Sequence, residues 1–143
     1  MGFFKNATVC RVNASQRLSA ALIEEALQRI PFRPVGSLEY KSHGFVHPNE
    51  MRITDVLTLP VNTCVFFALR QDEKKIPPAA LTELVEARVK KIENEQMRKI
   101  GRKERKIIKE ELVDQLLPNV LPTQRITRAY VDLAHDYLVI DTT

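Results

Sequence analysis

The sequence predicts an α+β fold: an antiparallel sheet of five or six strands, one helix packed on it, and a helical hairpin inserted late in the chain. Three observations carry this expectation. Short runs of β-branched and aromatic residues lie before Arg70 and return after Gln124, as strands require. Between Leu81 and Leu117 the apolar residues instead recur at steps of three and four, as one face of a helix does. Prolines stand on both sides of that stretch, at Pro77 and Pro78 before it and at Pro118 and Pro122 after it.

Taken in order, Phe3 to Val12 mixes aromatic and β-branched residues and reads as a first strand. Ser19 is placed to cap a short helix running to about Arg29, with Leu22, Ile23, Ala26 and Leu27 facing inward and Pro31 and Pro34 stopping it. Val35 to Val46 gives a second strand, weakened by Gly36 and Gly44, and Pro48-Asn49 makes a turn. Asp55 to Pro60 and Thr63 to Arg70 read as two strands joined near Asn62. Lys74-Lys75-Ile76-Pro77-Pro78 is the hinge into the helices. After them, Arg125 to Leu133 and Tyr137 to Asp141 form a β-hairpin turning near His135-Asp136. The organisation is a single domain over residues 1–143, with a helical arm, 78–117, between strand regions 1–75 and 123–143.

Within the arm, Leu81, Leu84, Val85, Val89 and Ile92 line one helix, and Ile107, Ile108, Leu112 and Leu116 line the next. Gly101 is the natural point for the chain to reverse, since glycine takes positive φ at little steric cost. An antiparallel pair with arms of roughly 25–30 Å follows at 1.5 Å per residue; a continuous helix kinked at Gly101 is the competing arrangement. Ten basic residues from Arg88 to Lys109 stand against Glu93, Glu95 and Glu104, whereas the whole chain has a formal excess of four positive charges. Arg102, Arg105, Lys106 and Lys109 share a face of the second helix; Lys90, Lys91 and Arg98 share one on the first. Such a stripe suits a phosphate backbone, because each cation that meets a phosphate releases condensed counterions. Solvated helix faces with i,i+4 pairs, here Glu86–Lys90 and Glu95–Lys99, are the plainer reading of the same pattern.

The 143 residues suffice for one core without staples, and 44% hydrophobic with 28% charged residues is an ordinary globular balance. No run of eighteen apolar residues is available for a membrane span. The start, Met1-Gly2-Phe3-Phe4-Lys5-Asn6, lacks the apolar segment of a signal peptide and the myristoylation pattern. The expected location is therefore cytoplasmic. Cys10 and Cys64 sit in apolar strand-like runs and are expected to act as small hydrophobes.

Catalytic chemistry is thin in this sequence. His43 and His47 are four apart, but Gly44 and Pro48 oppose the helix that would aim both at one metal, and no third ligand has a familiar spacing. There is no glycine-rich phosphate loop and no Gly-x-Ser-x-Gly elbow. Asp132, Asp136 and Asp141, with Glu39 and Asp55 from earlier strands, are the carboxylates a Mg²⁺-dependent nuclease would have to gather. The expectation is no catalytic residue, no metal and no cofactor.

Six short runs, in order and at consistent spacing, resemble the N-terminal half of the RdgC family of recombination-associated proteins. They are Phe4-Lys5-Asn6, Pro34-Val35-Gly36-Ser37, Gly44-Phe45-Val46-x-Pro48, Glu73-Lys74-Lys75-Ile76-Pro77, Ile92-Glu93-x-Glu95-Gln96-x-Arg98-Lys99 and Leu116-Leu117-Pro118. The resemblance implies a protein that binds double-stranded DNA with little sequence preference, forms a ring-like dimer around the duplex, and restrains the RecA recombinase in the nucleoid. It implies no catalytic residues, although an exonuclease label has sometimes been attached to the family. Carried over by position, Lys75, Arg98, Lys99 and the basic residues around Gly101 fall within the family's matching helical segment; with Lys90 and Lys91 from the charged helix face, and with Arg102, Lys103, Arg105, Lys106 and Lys109, they are the residues expected to contact DNA.

Two departures from the family stand out. Its members are about twice this length, which leaves open a natural short form, such as a phage or mobile-element protein, and a fragment. The family's Pro-Arg-Ala-Phe after the paired leucines is here Pro118-Asn119-Val120-Leu121. Val120 and Leu121 are thus expected at an oligomer contact. A homodimer is the expected state, formed at that tip or through an open sheet edge at the strand from Tyr137 to Asp141. A reading from another class stays beside this one: an interaction module or inhibitor acting on RecA or another recombination or repair enzyme without needing DNA.

Overall fold

The computed structural model describes residues 4–13 and 17–142. In chain order they form β1 (Thr8–Arg11), α1 (Ala20–Leu27), β2 (Lys41–Val46), β3 (Leu59–Val61), β4 (Cys64–Glu73), α2 (Pro78–Gln96), α3 (Arg102–Leu116), a 3₁₀ turn (Leu117–Asn119), β5 (Thr123–Asp132) and β6 (Tyr137–Ile140). The six strands make one sheet in the order β1-β6-β5-β4-β2, with β3 hairpinned onto β4. This is the expected α+β class. The chain divides into two compact units, residues 1–34, 42–72 and 124–143 in one, and 35–41 with 73–123 in the other.

In the sheet unit, local signals explain most of the elements. The Ser19 side chain accepts the Leu22 N–H at 3.2 Å and starts α1 as an N-cap should. Asn62 takes positive φ in the two-residue turn between β3 and β4, and Asp136 does so between β5 and β6. The core joins Ile23 and Leu27 of α1 to Val65 of β4 and Val131 of β5, with Leu57, Phe45 and Phe67 around them. Leu22 and Ala26, expected to face inward, are exposed. An eight-residue helix lying on a sheet buries one narrow line of side chains, here the i,i+4 pair Ile23 and Leu27.

Gly44 has a steric reason for being glycine. Segment 30–32 runs beside β2, bonded from Phe45 N to Ile30 O at 2.8 Å and from Phe32 N to Phe45 O at 3.0 Å. A Cβ on Gly44 would lie 2.5 Å from the Pro31 carbonyl carbon and as deep into the Phe32 backbone. The second strand is accordingly shorter than 35–46, since residues 35–40 are not strand at all. Likewise β1 is only Thr8–Arg11, and β3 begins at Leu59 rather than Asp55; the expected start at Phe3 lies outside the described residues. All four residues of β1 are exposed, so Cys10 is a surface thiol and not a small core hydrophobe.

The strand order overturns one expectation. β6 pairs with β5 on one side and with β1 on the other, Tyr137 facing Asp132 and Arg11. The strand from Tyr137 is therefore an interior strand with no open edge, because residues from the far end of the chain return to cover it. Asp141 completes the closure by accepting the Lys5 and Asn6 N–H groups at 3.1 and 3.0 Å.

In the helical unit, α2 and α3 run antiparallel around a seam of Leu81, Val85 and Val89 against Ile100, Ile108 and Leu112. These step mostly by four, the narrow seam of a two-helix contact. Leu84 and Ile107, expected on the apolar faces, fall outside it and are exposed. The reversal also lies elsewhere than expected. Met97 ends α2 in the left-handed conformation at φ 53°, while Gly101 is extended at φ −83° and is the N-cap of α3. Two separate helices exclude the single kinked one. At 1.5 Å per residue the nineteen residues of α2 make about 28 Å and the fifteen of α3 about 22 Å.

Candidate nucleic-acid interface

Three glutamates hold the reversal between the helices. Glu104, in the first turn of α3, accepts both terminal amino groups of Arg98 at 2.7 and 2.6 Å, and Gln96 accepts its Nε at 2.7 Å. The hydrogen bond from Arg98 holds the Glu104 carboxyl below its ordinary range, and Glu104 in turn raises the guanidinium. Glu93 accepts the Ile100 N–H at 3.2 Å, and Glu86 of α2 pairs with Arg105 of α3. Glu86 therefore reaches across to the other helix instead of to Lys90. Because α2 ends at Gln96, Lys99 is not on its i,i+4 register with Glu95 and Arg98 is not on its face. Arg98 belongs to the turn.

These pairs sort the expected contact residues. Arg98 and Arg105 are engaged by carboxylates, and Lys75 lies 3.9 Å from Glu73 in the lead-in before Pro77. Lys90, Lys91, Lys99, Arg102, Lys103, Lys106 and Lys109 are exposed and carry no ion pair among the described residues. Arg102, Lys106 and Lys109 lie at i, i+4 and i+7 along α3, one stripe of about 10 Å. Lys99, Arg102 and Lys103 gather at the N-terminal end of α3, where Gly101 supplies no side-chain cap and the helix presents its positive pole. Val120 is half-buried, its N–H bonded to Leu117 O at 3.2 Å, and Leu121 is 88% exposed.

Lys74, the neighbour of an expected contact residue, has a role the sequence does not announce. It is 5% exposed, and its ammonium donates to Leu117 O at 2.9 Å, Gly36 O at 3.2 Å and Ser37 O at 3.3 Å. One buried cation thus ties segment 35–41 to the end of α3 and caps the carbonyl of its C-cap residue, Leu117. Its acceptors are 37 to 43 residues away, so no local pattern could point to them.

Three of the carboxylates that a metal site would need, Asp132, Asp141 and Glu39, have other work. Asp132 accepts the Ala134 N–H at 3.0 Å and faces His135 Nδ1 at 2.9 Å; the hydrogen bond to His135 holds its pKa down. Asp136 is the positive-φ residue of that turn and Asp141 clamps the Lys5 and Asn6 amides. Glu39 accepts the Gly36 N–H at 3.1 Å. Nδ1 of His47 accepts the Asn49 N–H at 3.0 Å inside the turn after β2, while His43 is exposed. No group of three or more His, Cys, Asp or Glu able to hold a metal occurs among the described residues, and no described helix is long and apolar enough to cross a membrane.

Two concavities stand out. In the sheet unit a cavity of about 690 Å³ is lined by mixed groups, among them Arg70, whose guanidinium bonds Asp72 at 3.0 and 3.1 Å and stacks 4.4 Å from the Phe32 ring centre. In the helical unit a trough of about 530 Å³ lies between α2 and α3, and it gathers Arg102, Arg105, Lys106 and Lys109 along one side. Only the second concentrates one sign of charge.

Against known proteins, the family model described as "Putative exonuclease, RdgC" matches residues 2–143. Recombination-associated protein RdgC of Bordetella pertussis is 34% identical over 139 residues, covering 97% of this chain and 46% of that protein. The proteins of the same name from Sodalis glossinidius and Xanthomonas campestris pv. campestris are each 33% identical, over 141 and 140 residues, and again 46% of each is covered. The chain spans about half the length of the curated relatives it matches.

Proposed function

The chain belongs to the RdgC family, and on that footing we propose that it binds double-stranded DNA without sequence preference and acts in the control of homologous recombination, with RecA as the regulated enzyme. The observation that carries the reading is the set of exposed cations on the helical pair with no ion pair among the described residues: Arg102, Lys106 and Lys109 in one stripe, with Lys99 and Lys103 at its end. Cations without a carboxylate partner are available to phosphates, whereas Arg98 and Arg105 would first have to leave Glu104 and Glu86. The relatives' name, recombination-associated protein, supports the biological setting. Lysines and arginines in an exposed stripe meet phosphates, and phosphate contacts carry no sequence information, so binding tolerates any sequence.

If about five of these cations meet phosphates, log K falls with log salt at a slope of roughly −4 to −5. Titrating unrelated duplexes at several salt concentrations tests this. A flat salt response, or strong preference for one duplex, defeats the reading. Catalysis has no part in it: incubation of labelled duplex with Mg²⁺ or Mn²⁺ is expected to leave ends intact, and cleavage abolished by Asp132→Asn would overturn that.

The protein is taken to act as a homodimer in the nucleoid, since one chain offers too little surface to surround a duplex. The contact proposed is at Leu121, which is 88% exposed and continues from half-buried Val120 directly after the 3₁₀ turn. Light scattering gives the mass, and Leu121→Asp is expected to shift dimer to monomer. The same exposed leucine supports the second reading, in which the chain docks on a recombination or repair enzyme without DNA. Pull-down of RecA after nuclease treatment separates the two, because only protein-to-protein docking survives it.

A further inference from the structure

The trough between α2 and α3 combines two properties that phosphate binding does not need together. Its floor is aliphatic, made by Ile76 before α2 and by Leu81 and Val85 on it. Its α3 rim is cationic, and Glu86, the lone carboxylate among the lining residues, is neutralised by Arg105. A duplex offers phosphates to the rim, but its stacked bases cannot reach the floor. An unpaired base would reach it, yet sites for single strands present aromatic platforms, and no Phe, Tyr or Trp occurs between Phe67 and Tyr130.

A ligand that satisfies floor and rim at once carries aliphatic side chains and carboxylates on one short segment. We propose that this trough is a docking site for an acidic peptide that lays a large aliphatic side chain over Leu81 and Val85 and its carboxylates along Arg102, Lys106 and Lys109. Charge complementarity selects the occupant: the three cations have no ion pair among the described residues, lie on one side, and span about 10 Å, the reach of three extended residues or two turns of helix. A volume of about 530 Å³ is in the ordinary range for a ligand pocket. The partner is therefore a protein with an exposed acidic segment bearing leucine or isoleucine. The inference stands apart from the DNA reading, although both use the rim, so peptide and duplex compete for it.

The test uses the full chain and a labelled dodecapeptide of aspartates interrupted by two leucines four residues apart. Its comparison peptide has serine at those two positions. Fluorescence anisotropy is expected to show the leucine peptide binding at least about tenfold more tightly, the worth of one buried leucine. Thr82 is exposed and lines the trough, so Thr82→Trp fills the trough without entering the core; it should remove that tenfold difference and leave duplex affinity within about twofold. Lys109→Glu should weaken peptide and duplex alike. Equal binding of the two peptides would overturn the proposal, leaving only a charged surface. Oligothymidylate that binds wild type and is lost in Thr82→Trp, with the peptides indifferent, would overturn it in favour of single-stranded nucleic acid. Peptide binding that persists where no duplex binds would sink the DNA reading and keep this one.

Discussion

The two units of this chain differ in where they leave charge free. In the sheet unit several charged side chains are tied to the fold: Arg70 to Asp72, Arg128 to Glu50, the Glu24 carboxylate to the Leu57 N–H, and Asp141 to the Lys5 and Asn6 amides, and the exposed cations Arg29, Arg52 and Arg125 are scattered along the sequence. In the helical unit three glutamates fasten the reversal, and seven exposed cations remain with no ion pair among the described residues. The contrast teaches where to look for a partner. Charges tied into the fold explain stability, and charges left over at one place call for something outside the chain.

The largest effect that would sharpen this contrast is at the glycines. Gly44→Ala drives a Cβ into the Phe32 backbone and is expected to cost about 3 kcal/mol. Gly101→Ala meets nothing within 4 Å and sits at an extended φ, so a change within about 0.5 kcal/mol is expected. Urea unfolding of both variants measures the difference, and a Gly101 variant as damaged as the Gly44 one would contradict the placement of the reversal at Met97.

Lys74→Met comes next. It removes the charged donor shared by the Gly36, Ser37 and Leu117 carbonyls, the last of them buried, at a cost of about 2–3 kcal/mol. The same substitution at Lys75, exposed and only 3.9 Å from Glu73, should be close to neutral in urea. Equal losses at the two neighbours would break the distinction between a structural and an available lysine.

Glu24→Gln probes the sheet unit more gently. Burial alone would raise this carboxyl, but the Leu57 N–H and the Gln28 and Thr58 bonds outweigh it and hold its pKa low. A lowered folded pKa contributes stability above the ordinary glutamate range and loses it as the pH falls through the folded value. The variant should therefore be about 1 kcal/mol less stable at neutral pH and converge with wild type in acid. A gap that widens in acid would reverse the assigned sign.

The smallest expected effect is Arg98→Ala. With Arg98 bound to Glu104, its loss should speed amide exchange at Ile100 and leave the salt slope of DNA binding unchanged. Because Glu104 is also held low, this contact too acts fully above the ordinary glutamate range and fades as the pH falls through the lowered value. A slope that drops by about one on substitution would make Arg98 a phosphate contact after all.

By itself the sequence determined what neighbours in the chain can settle. Ser19 caps α1 three residues away, the helical seams repeat every four, and the turn at His135-Asp136 joins adjacent strands, so each signal lies within a single turn of backbone. The basic run was legible too, since it is a count. The tertiary structure alone decided the matters that join distant residues. β1 covers β6 from 126 to 132 residues away, Lys74 finds its acceptors at 36, 37 and 117, and segment 30–32 explains Gly44. Which cations are available depends on Glu86 and Glu104 reaching across a reversal whose position Met97 sets, four residues before the expected glycine. The physical reason is the same throughout. Helix periods and turns are written in local sterics, whereas partnership in a sheet, a buried ammonium or a cross-helix ion pair is set by packing that brings separate stretches together.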